Sequence, residues 1–238
     1  MSPTPVLLPG NMCDARLWSR MPADAGLEDS FHADLSRDDS ISAMADRILA
    51  ETSGSLLPIG FSMGAIVAVE MAVQAPKRII GMVLAGYNAT ADLPERAAHR
   101  PGQQAEVRAG GLERVLVEEL KPNYLAACNR GDAALLDLLR DMGMALGPDV
   151  FIRQSEALRL RKDRRPALQK LTMPICFACG LEDALCPPDW HRQWATMVPG
   201  SRLVMVAGAG HLLPLEQPAS FAECIALWRQ DNRERLCR

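Results

Sequence analysis

The sequence predicts an α/β class: a doubly wound, mainly parallel sheet with a helical segment inserted in mid-chain. Three observations carry that expectation. Residues 79–85 form a continuous apolar run without alternation, as in a strand covered by helices on both faces of a parallel sheet. Apolar runs alternate with helical patterns up to that point, the order that parallel crossovers impose. From residue 87 to residue 172 the alternation stops and no convincing strand appears, a stretch far longer than one crossover needs.

Taken in order, Pro5-Val6-Leu7-Leu8 reads as a short buried strand broken by Pro9-Gly10. A loop through Asn11 and Cys13 leads to a short helix carrying Leu17 and Trp18, and residues 31–35 are a second strand candidate. Residues 40–50 place Ile41, Met44, Ala45, Ile48 and Leu49 on one helical face, with Ser40 or Asp39 available as N-cap. The next strand runs from Leu56 into Gly60, and a helix over about 63–75 follows at once. That helix is apolar around nearly its whole circumference and is expected to be buried. Pro58 cannot donate to a ladder, so a local gap is expected in this strand.

After residues 79–85, helical periodicity returns around 112–120, 132–145 and 149–160, punctuated by Gly110-Gly111, Pro122, Gly131 and Gly147-Pro148. The basic run Arg159, Arg161, Lys162, Arg164 and Arg165 reads as a solvated helix end and linker, because nothing aromatic interleaves it. The sheet resumes with a strand at 174–180, a helix near 189–197, a last strand at 202–207 and a closing helix at about 219–229. The expected division is a core of residues 1–86 and 173–238 with a helical cap of residues 87–172.

With 238 residues, 48% hydrophobic and 23% charged, the chain suits a globular domain with a sizeable core. A net charge of -3 gives no sign of a nucleic-acid partner. No segment approaches the roughly 18 apolar residues of a membrane span. The first ten residues lack the basic and apolar regions of a signal peptide. No membrane partner is therefore expected, and a cytoplasmic location is the default. The seven cysteines are scattered and odd in number, which suits thiols rather than a disulfide framework. Cys176 and Cys179 match C-x-x-C, but residues three apart in a strand point to opposite faces, which favours packing over redox or metal chemistry.

The chemistry-bearing stretch is Gly60-Phe61-Ser62-Met63-Gly64, a G-x-S-x-G pattern between a strand and a helix. A serine hydroxyl needs a base to take its proton and an anion to orient that base. In an open parallel sheet such groups belong beyond the carboxyl ends of strands. Asp183 follows the strand ending at Gly180, and His211 follows the last strand in Gly208-Ala209-Gly210-His211. Glu182 is the second candidate acid. His32, His99 and His191 do not follow strand ends and read as structural or solvated. Cys13 and Cys186 fall in loops expected to border a pocket, with packing as their expected role.

Gly60-Phe61-Ser62-Met63-Gly64, Gly180-Leu181-Glu182-Asp183 with Pro187-Pro188, and Gly208-Ala209-Gly210-His211 together resemble the α/β-hydrolase superfamily over almost the full length. The nearest resemblance is to small capped esterases of the carboxylesterase, enol-lactonase and carrier-protein methyl esterase group. It implies Ser62 as nucleophile, His211 as general base and then acid, and Asp183 as the orienting carboxylate. It also implies an oxyanion hole from the Met63 N–H and, in the first strand's loop, the Asn11 N–H. Where the family has His-Gly, this chain reads Pro9-Gly10-Asn11. The loop after Leu35 lacks the family's Gly-rich turn, and the antiparallel leading strands of larger members are expected to be absent.

The expected reaction is hydrolysis of a small-molecule carboxylic ester, thioester or lactone through an acyl-serine, with no metal or organic cofactor required. The alternatives are a lyase or carbon–carbon bond hydrolase on the same fold, or a non-catalytic ligand-binding member. A serine at the elbow argues against the haloalkane dehalogenase and epoxide hydrolase branches, which resemble this fold but place Asp there. Leu112, Val115, Leu116, Leu135, Leu138, Leu139, Met142 and Met144 make the cap apolar enough for a modest hydrophobic group, or simply for a core of its own. Oligomeric state stays open.

Overall fold

A computed structural model describes residues 3–22, 25–120 and 124–236; Pro122 and Cys237 lie outside them. Six strands form one sheet: β1 (Thr4–Leu8), β2 (Phe31–His32), β3 (Leu56–Phe61), β4 (Met82–Ala85), β5 (Ile175–Gly180) and β6 (Arg202–Val206). All neighbours pair in parallel, in the spatial order β2-β1-β3-β4-β5-β6. The chain moves outward from β1 to β2, then crosses back to the other side of β1. That reversal leaves a crevice beyond the carboxyl ends of β1 and β3, where open sheets bind ligands.

The β1–β3 ladder is continuous from Thr4↔Leu56 to Leu8↔Gly60. On its other side β3 joins β4 only from Ile59↔Val83, preceded by an isolated bridge Leu56↔Ile79. Pro58, which has no N–H, sits at that interruption. The second strand is shorter than residues 31–35: only Phe31 and His32 pair, although the Ala33 N–H still donates to the Leu7 carbonyl at 2.9 Å.

Helices α1 (Ile41–Glu51) and α2 (Met63–Gln74) precede β4. Between β4 and β5 come α3 (Pro94–Arg108), α4 (Leu112–Arg114) running into a π-helical turn (Val115–Leu120), α5 (Ala133–Arg159) and α6 (Arg165–Leu168). After β5 come α7 (Pro188–Met197), α8 (Leu213–Glu216), α9 (Pro218–Asp231) and α10 (Arg233–Leu236). One face of the sheet packs Met44 and Ile48 of α1, the buried side chains of α2 and Trp194 of α7. The other face packs Leu17, Trp18 and Phe221, Ile225 and Trp228 of α9. This two-sided cover is why β3 and β5 are buried throughout and show no alternation.

The sequence reading missed α3. Its buried side chains include Gln103 and Gln104 beside a single valine, Val107, and the helix runs on through Pro101-Gly102, residues that read as a break, so no apolar period marks it. Helix α5 carries the two predicted helical patterns as two arms. Gly147 between them adopts φ 81°, a left-handed conformation open to glycine, and Pro148 begins the second arm. The inserted helices hold a small core of their own, with Val107, Leu112, Val115, Leu116, Val150 and Phe151 packed around Met12.

The basic run is only in part the solvated linker its composition suggests: Lys162 and Arg165 are exposed, whereas Arg161 and Arg164 are drawn in. Arg161 is buried and pairs with Asp92 at 2.7 Å, and the Arg164 Nε donates to Glu70 at 2.7 Å. Glu70 lies on the buried helix α2, so one end of the inserted segment is anchored to the core by an ion pair.

Candidate active site

The elbow between β3 and α2 is as tight as its glycines imply. Ser62 has φ 53° and ψ -113°, a strained conformation for a residue with a side chain. Its N–H donates to the Ala85 carbonyl of β4 at 2.8 Å, which holds the turn against the sheet. A Cβ at Gly60 would stand 2.6 Å from the Ala65 backbone nitrogen, and one at Gly64 would run into the Leu8 carbonyl. Both positions therefore require glycine for close approach. Met63 is the first residue of α2, so its N–H has no carbonyl within the helix to bond.

His211 Nε2 lies 3.0 Å from Ser62 Oγ, and His211 Nδ1 lies 2.8 Å from Asp183 Oδ2. The other Asp183 oxygen accepts the N–H groups of Leu185 at 2.9 Å and Cys186 at 2.8 Å. Burial alone would raise the Asp183 pKa, but the charge and hydrogen bond of His211 and the Cys186 N–H outweigh it and hold the carboxyl below its ordinary value. An ionised Asp183 accepts from Nδ1–H, which leaves Nε2 as the acceptor facing the serine hydroxyl.

Two carboxylates outside this trio organise its loops. Glu216 accepts from the Gly210 N–H at 2.9 Å, the Ala126 N–H at 2.7 Å and Asn129 Nδ2 at 2.9 Å. The His211 N–H in turn donates to the Tyr124 carbonyl at 2.7 Å. Glu182, the second candidate acid, accepts the Ala127 N–H at 2.8 Å and so ties the loop before α5 to the end of β5.

Asn11 sits at the same cavity, and its side chain is engaged. Asn11 Nδ2 and the Met12 N–H both donate to Gln154 Oε1, at 3.0 and 2.8 Å. Gln154 Nε2 donates to the Leu35 carbonyl at 3.0 Å. Met12 has φ 52°, so the loop after β1 is strained and pinned by a buried glutamine from α5. Sequence reading singled out neither Gln154 nor Glu216. For Gln154 the available signal was a polar side chain among the apolar positions of 149–160.

A cavity of about 370 Å³ opens over Ser62 and His211. Met12, Ile66, Leu116 and Leu139 supply apolar wall, and Asn88, Asp92, Arg96 and Arg100 supply polar wall. Of the apolar residues flagged in the sequence, Leu116 and Leu139 reach the cavity, Leu112, Val115, Leu135 and Met142 pack in the cores, Leu138 is partly buried against one of them, and Met144 is exposed. Cys13 and Cys186 are both buried at its edge. Burial pushes the Cys186 thiol well up, so it stays protonated. No disulfide occurs among the described residues, and Cys176 and Cys179 are buried in β5 as packing residues.

The remaining histidines separate by environment. His32 and His99 are exposed, while His191 is fully buried and its Nε2 accepts the Tyr87 N–H at 3.0 Å. Among the described residues, Asp183, Cys186 and His211 are the one grouping whose potential metal-ligand atoms fall within 4.8 Å of one another. A metal there would have to break the His211–Asp183 hydrogen bond, so the donor set suits the pair better than a cation. Among the described residues no helix is long and apolar enough to cross a membrane.

The sheet order and the serine elbow define a class, and sequence comparison agrees with it. Residues 6–224 match the alpha/beta hydrolase family, and the chain belongs to that family. The pimeloyl-[acyl-carrier protein] methyl ester esterase of Neisseria meningitidis serogroup B (strain ATCC BAA-335 / MC58) is 27% identical over 194 residues, covering 79% of this chain and 73% of that protein. The enzyme of the same name from Yersinia pseudotuberculosis serotype I (strain IP32953) is 26% identical over 203 residues, covering 82% and 77%. Among solved structures, a thermophilic esterase from Thermogutta terrifontis (malate bound) superposes with a TM-score of 0.85 at 26% identity, covering 97% of this chain and 90% of that one. The enol-lactonase from Burkholderia xenovorans LB400 superposes with a TM-score of 0.84 at 20% identity, covering 97% and 92%, and shares the fold.

Proposed function

We propose that this chain is a serine hydrolase that cleaves a small-molecule carboxylic ester, thioester or lactone. The observation that carries the reading is the continuous chain from Ser62 Oγ through His211 to Asp183, with contacts of 3.0 and 2.8 Å, at the floor of a cavity. Ser62 attacks the acyl carbon as His211 Nε2 takes its proton. Asp183 holds the Nδ1–H tautomer and stabilises the imidazolium. The developing oxyanion sits against the N–H groups of Met63 and Asn11, with the amino end of α2 behind it. His211 then returns the proton to the leaving alcohol or thiol, and the acyl-Ser62 ester is hydrolysed by water that His211 deprotonates. The helices within residues 87–172 serve as the cap over a core of residues 1–86 and 173–238. The esterase relatives at 26–27% identity support the same reaction class.

The test is labelling with a fluorophosphonate. One adduct on Ser62, absent from Ser62→Ala and accompanied by loss of turnover on short-chain esters in both Ser62→Ala and His211→Ala, is the expected result. Turnover of a substrate without any adduct at Ser62 would instead assign the site to proton-transfer chemistry of the lyase type.

A further inference from the structure

We propose that the cavity contains a carboxylate subsite formed by Asn88, Arg96 and Arg100, and that the substrate is an ester carrying a free carboxylate. This rests on the ester-hydrolysis reading above and narrows it to a substrate class.

Asn88 is 5% exposed. Its Oδ1 accepts the Thr90 N–H at 2.9 Å, which fixes which end of the amide is which; the Thr90 hydroxyl lies between that oxygen, at 2.9 Å, and the Ala91 carbonyl, at 2.8 Å. The Nδ2 group is therefore a donor, and it is buried without a partner on the wall of the cavity. An unpaired buried donor is destabilising unless an acceptor arrives, and the cavity is where one can.

The charges beside it are unbalanced in the same sense. Asp92 accepts from Arg100 Nε at 2.6 Å and from Arg161 Nη1 at 2.7 Å, so one carboxylate faces two guanidinium groups. Arg161 directs further N–H groups to the carbonyls of Thr90, Ala91 and Leu158 and is closed off. Arg96 gives one N–H to the Leu185 carbonyl at 3.1 Å and has no carboxylate partner among the described residues. Glu95, the other acid at this cavity, is exposed to solvent. Asn88 and Arg96 thus offer donors that no carboxylate among the described residues takes, and Arg100, held by Asp92 through Nε and Nη2, has Nη1 to add to them. A carboxylate presents two oxygens that suit the guanidinium fork and the amide donor together. The apolar wall of Met12, Ile66, Leu116 and Leu139 suits a methylene chain between that carboxylate and the ester.

The proposal is tested with matched esters. Monomethyl succinate through monomethyl suberate are compared with the corresponding dimethyl esters, and 4-acetoxybutanoate with its methyl ester, so that the carboxylate lies on the acyl or the alcohol side. The wild-type enzyme should favour the charged member of at least one pair by roughly ten-fold or more in kcat/KM, mainly through KM. Arg96→Gln should bring that ratio toward one, Arg96→Lys should restore part of it, and Asn88→Ala should lower it independently. Binding is measured separately by calorimetry on Ser62→Ala protein with the same monoester and diester. Preferential monoester binding that is lost in the Ser62→Ala/Arg96→Gln protein, with no turnover of any ester by wild type, would keep the subsite and overturn the hydrolase reading. Equal turnover and equal binding of charged and neutral members, or a ratio unmoved by Arg96→Gln in a protein with unchanged melting, would overturn the subsite.

Discussion

The Met12 N–H donates to Gln154 Oε1 at 2.8 Å, joining a strained loop at the carboxyl end of β1 to a helix 142 residues further along the chain. The same oxygen takes Asn11 Nδ2, so one buried amide sets the course of the segment proposed to supply an oxyanion donor. Gln154→Leu would leave the Met12 N–H buried and unpaired, costing about 1–3 kcal/mol of stability. A displaced donor weakens the transition state more than substrate binding. We expect kcat to fall by about ten- to a hundred-fold with KM little changed. Gln154→Glu keeps the acceptor but loses the donor to the Leu35 carbonyl and buries a charge, so it should recover kcat in part without recovering the melting temperature. A change confined to KM would show that the loop serves binding alone.

Asp92 has almost no exposed side-chain surface and holds two guanidinium groups, those of Arg100 and Arg161. Asp92→Ala would leave Arg161 as an uncompensated buried charge, which costs about 3–5 kcal/mol. For a chain of this size that lowers the melting temperature by roughly 10 °C. Differential scanning calorimetry reads it directly. A shift within a degree or two of wild type would mean the cluster is hydrated and open.

The fold was legible because it is written in periodicity. Residues 79–85 and 174–180 have no alternation because both faces of the sheet are covered, and α2 is apolar all round because it is buried on nearly all sides. The serine, histidine and aspartate that meet in space were legible from placement, since each follows a strand end and the sheet order brings those ends together. What stayed hidden was polar burial. Gln103, Gln104, Gln154, Asp92 and Arg161 carry no sequence period, and each is buried beside a partner from 16 to 119 residues away in the chain. The run around Arg161 shows the limit most clearly. In sequence it is a string of cations, and only folding reveals that Asp92 and Glu70 receive two of them.

His191 contributes to the pH dependence of stability. Burial pushes its pKa down to about 4, from an ordinary value of 6.5. The unfolded chain therefore binds a proton below about 6.5 that the folded chain refuses until about 4. Its contribution is intact above that window and is lost progressively as pH falls through it, by up to about 3 kcal/mol. Asp183 acts lower down: its depressed carboxyl pKa adds stability above the ordinary value of 3.8 that is lost at more acid pH. Urea unfolding at pH 7 and pH 4.5 should show the loss in wild type. His191→Asn, which keeps an acceptor for the Tyr87 N–H but does not titrate there, should show a smaller one. Equal pH dependence in the two proteins would remove His191 from the account.

Asp183→Asn tests the orientation of His211 without dismantling the loop. The Leu185 and Cys186 N–H groups need an acceptor and should draw the asparagine carbonyl toward them, leaving its NH₂ group facing His211 Nδ1. Nδ1 must then be the acceptor, the proton moves to Nε2, and the ring meets the Ser62 hydroxyl with a donor instead of a base. We expect kcat for ester hydrolysis to fall by about 10³–10⁴, with melting and KM close to wild type. Glu182 does not offer a substitute, because its carboxylate is held by the Ala127 N–H on the other side of the loop. A variant that also removes that acid, Asp183→Asn with Glu182→Gln, keeps an acceptor for the Ala127 N–H and should therefore be no slower in the chemical step than Asp183→Asn alone. A large further loss would mean that Glu182 reaches His211 after all, and that the two acids share the orienting role.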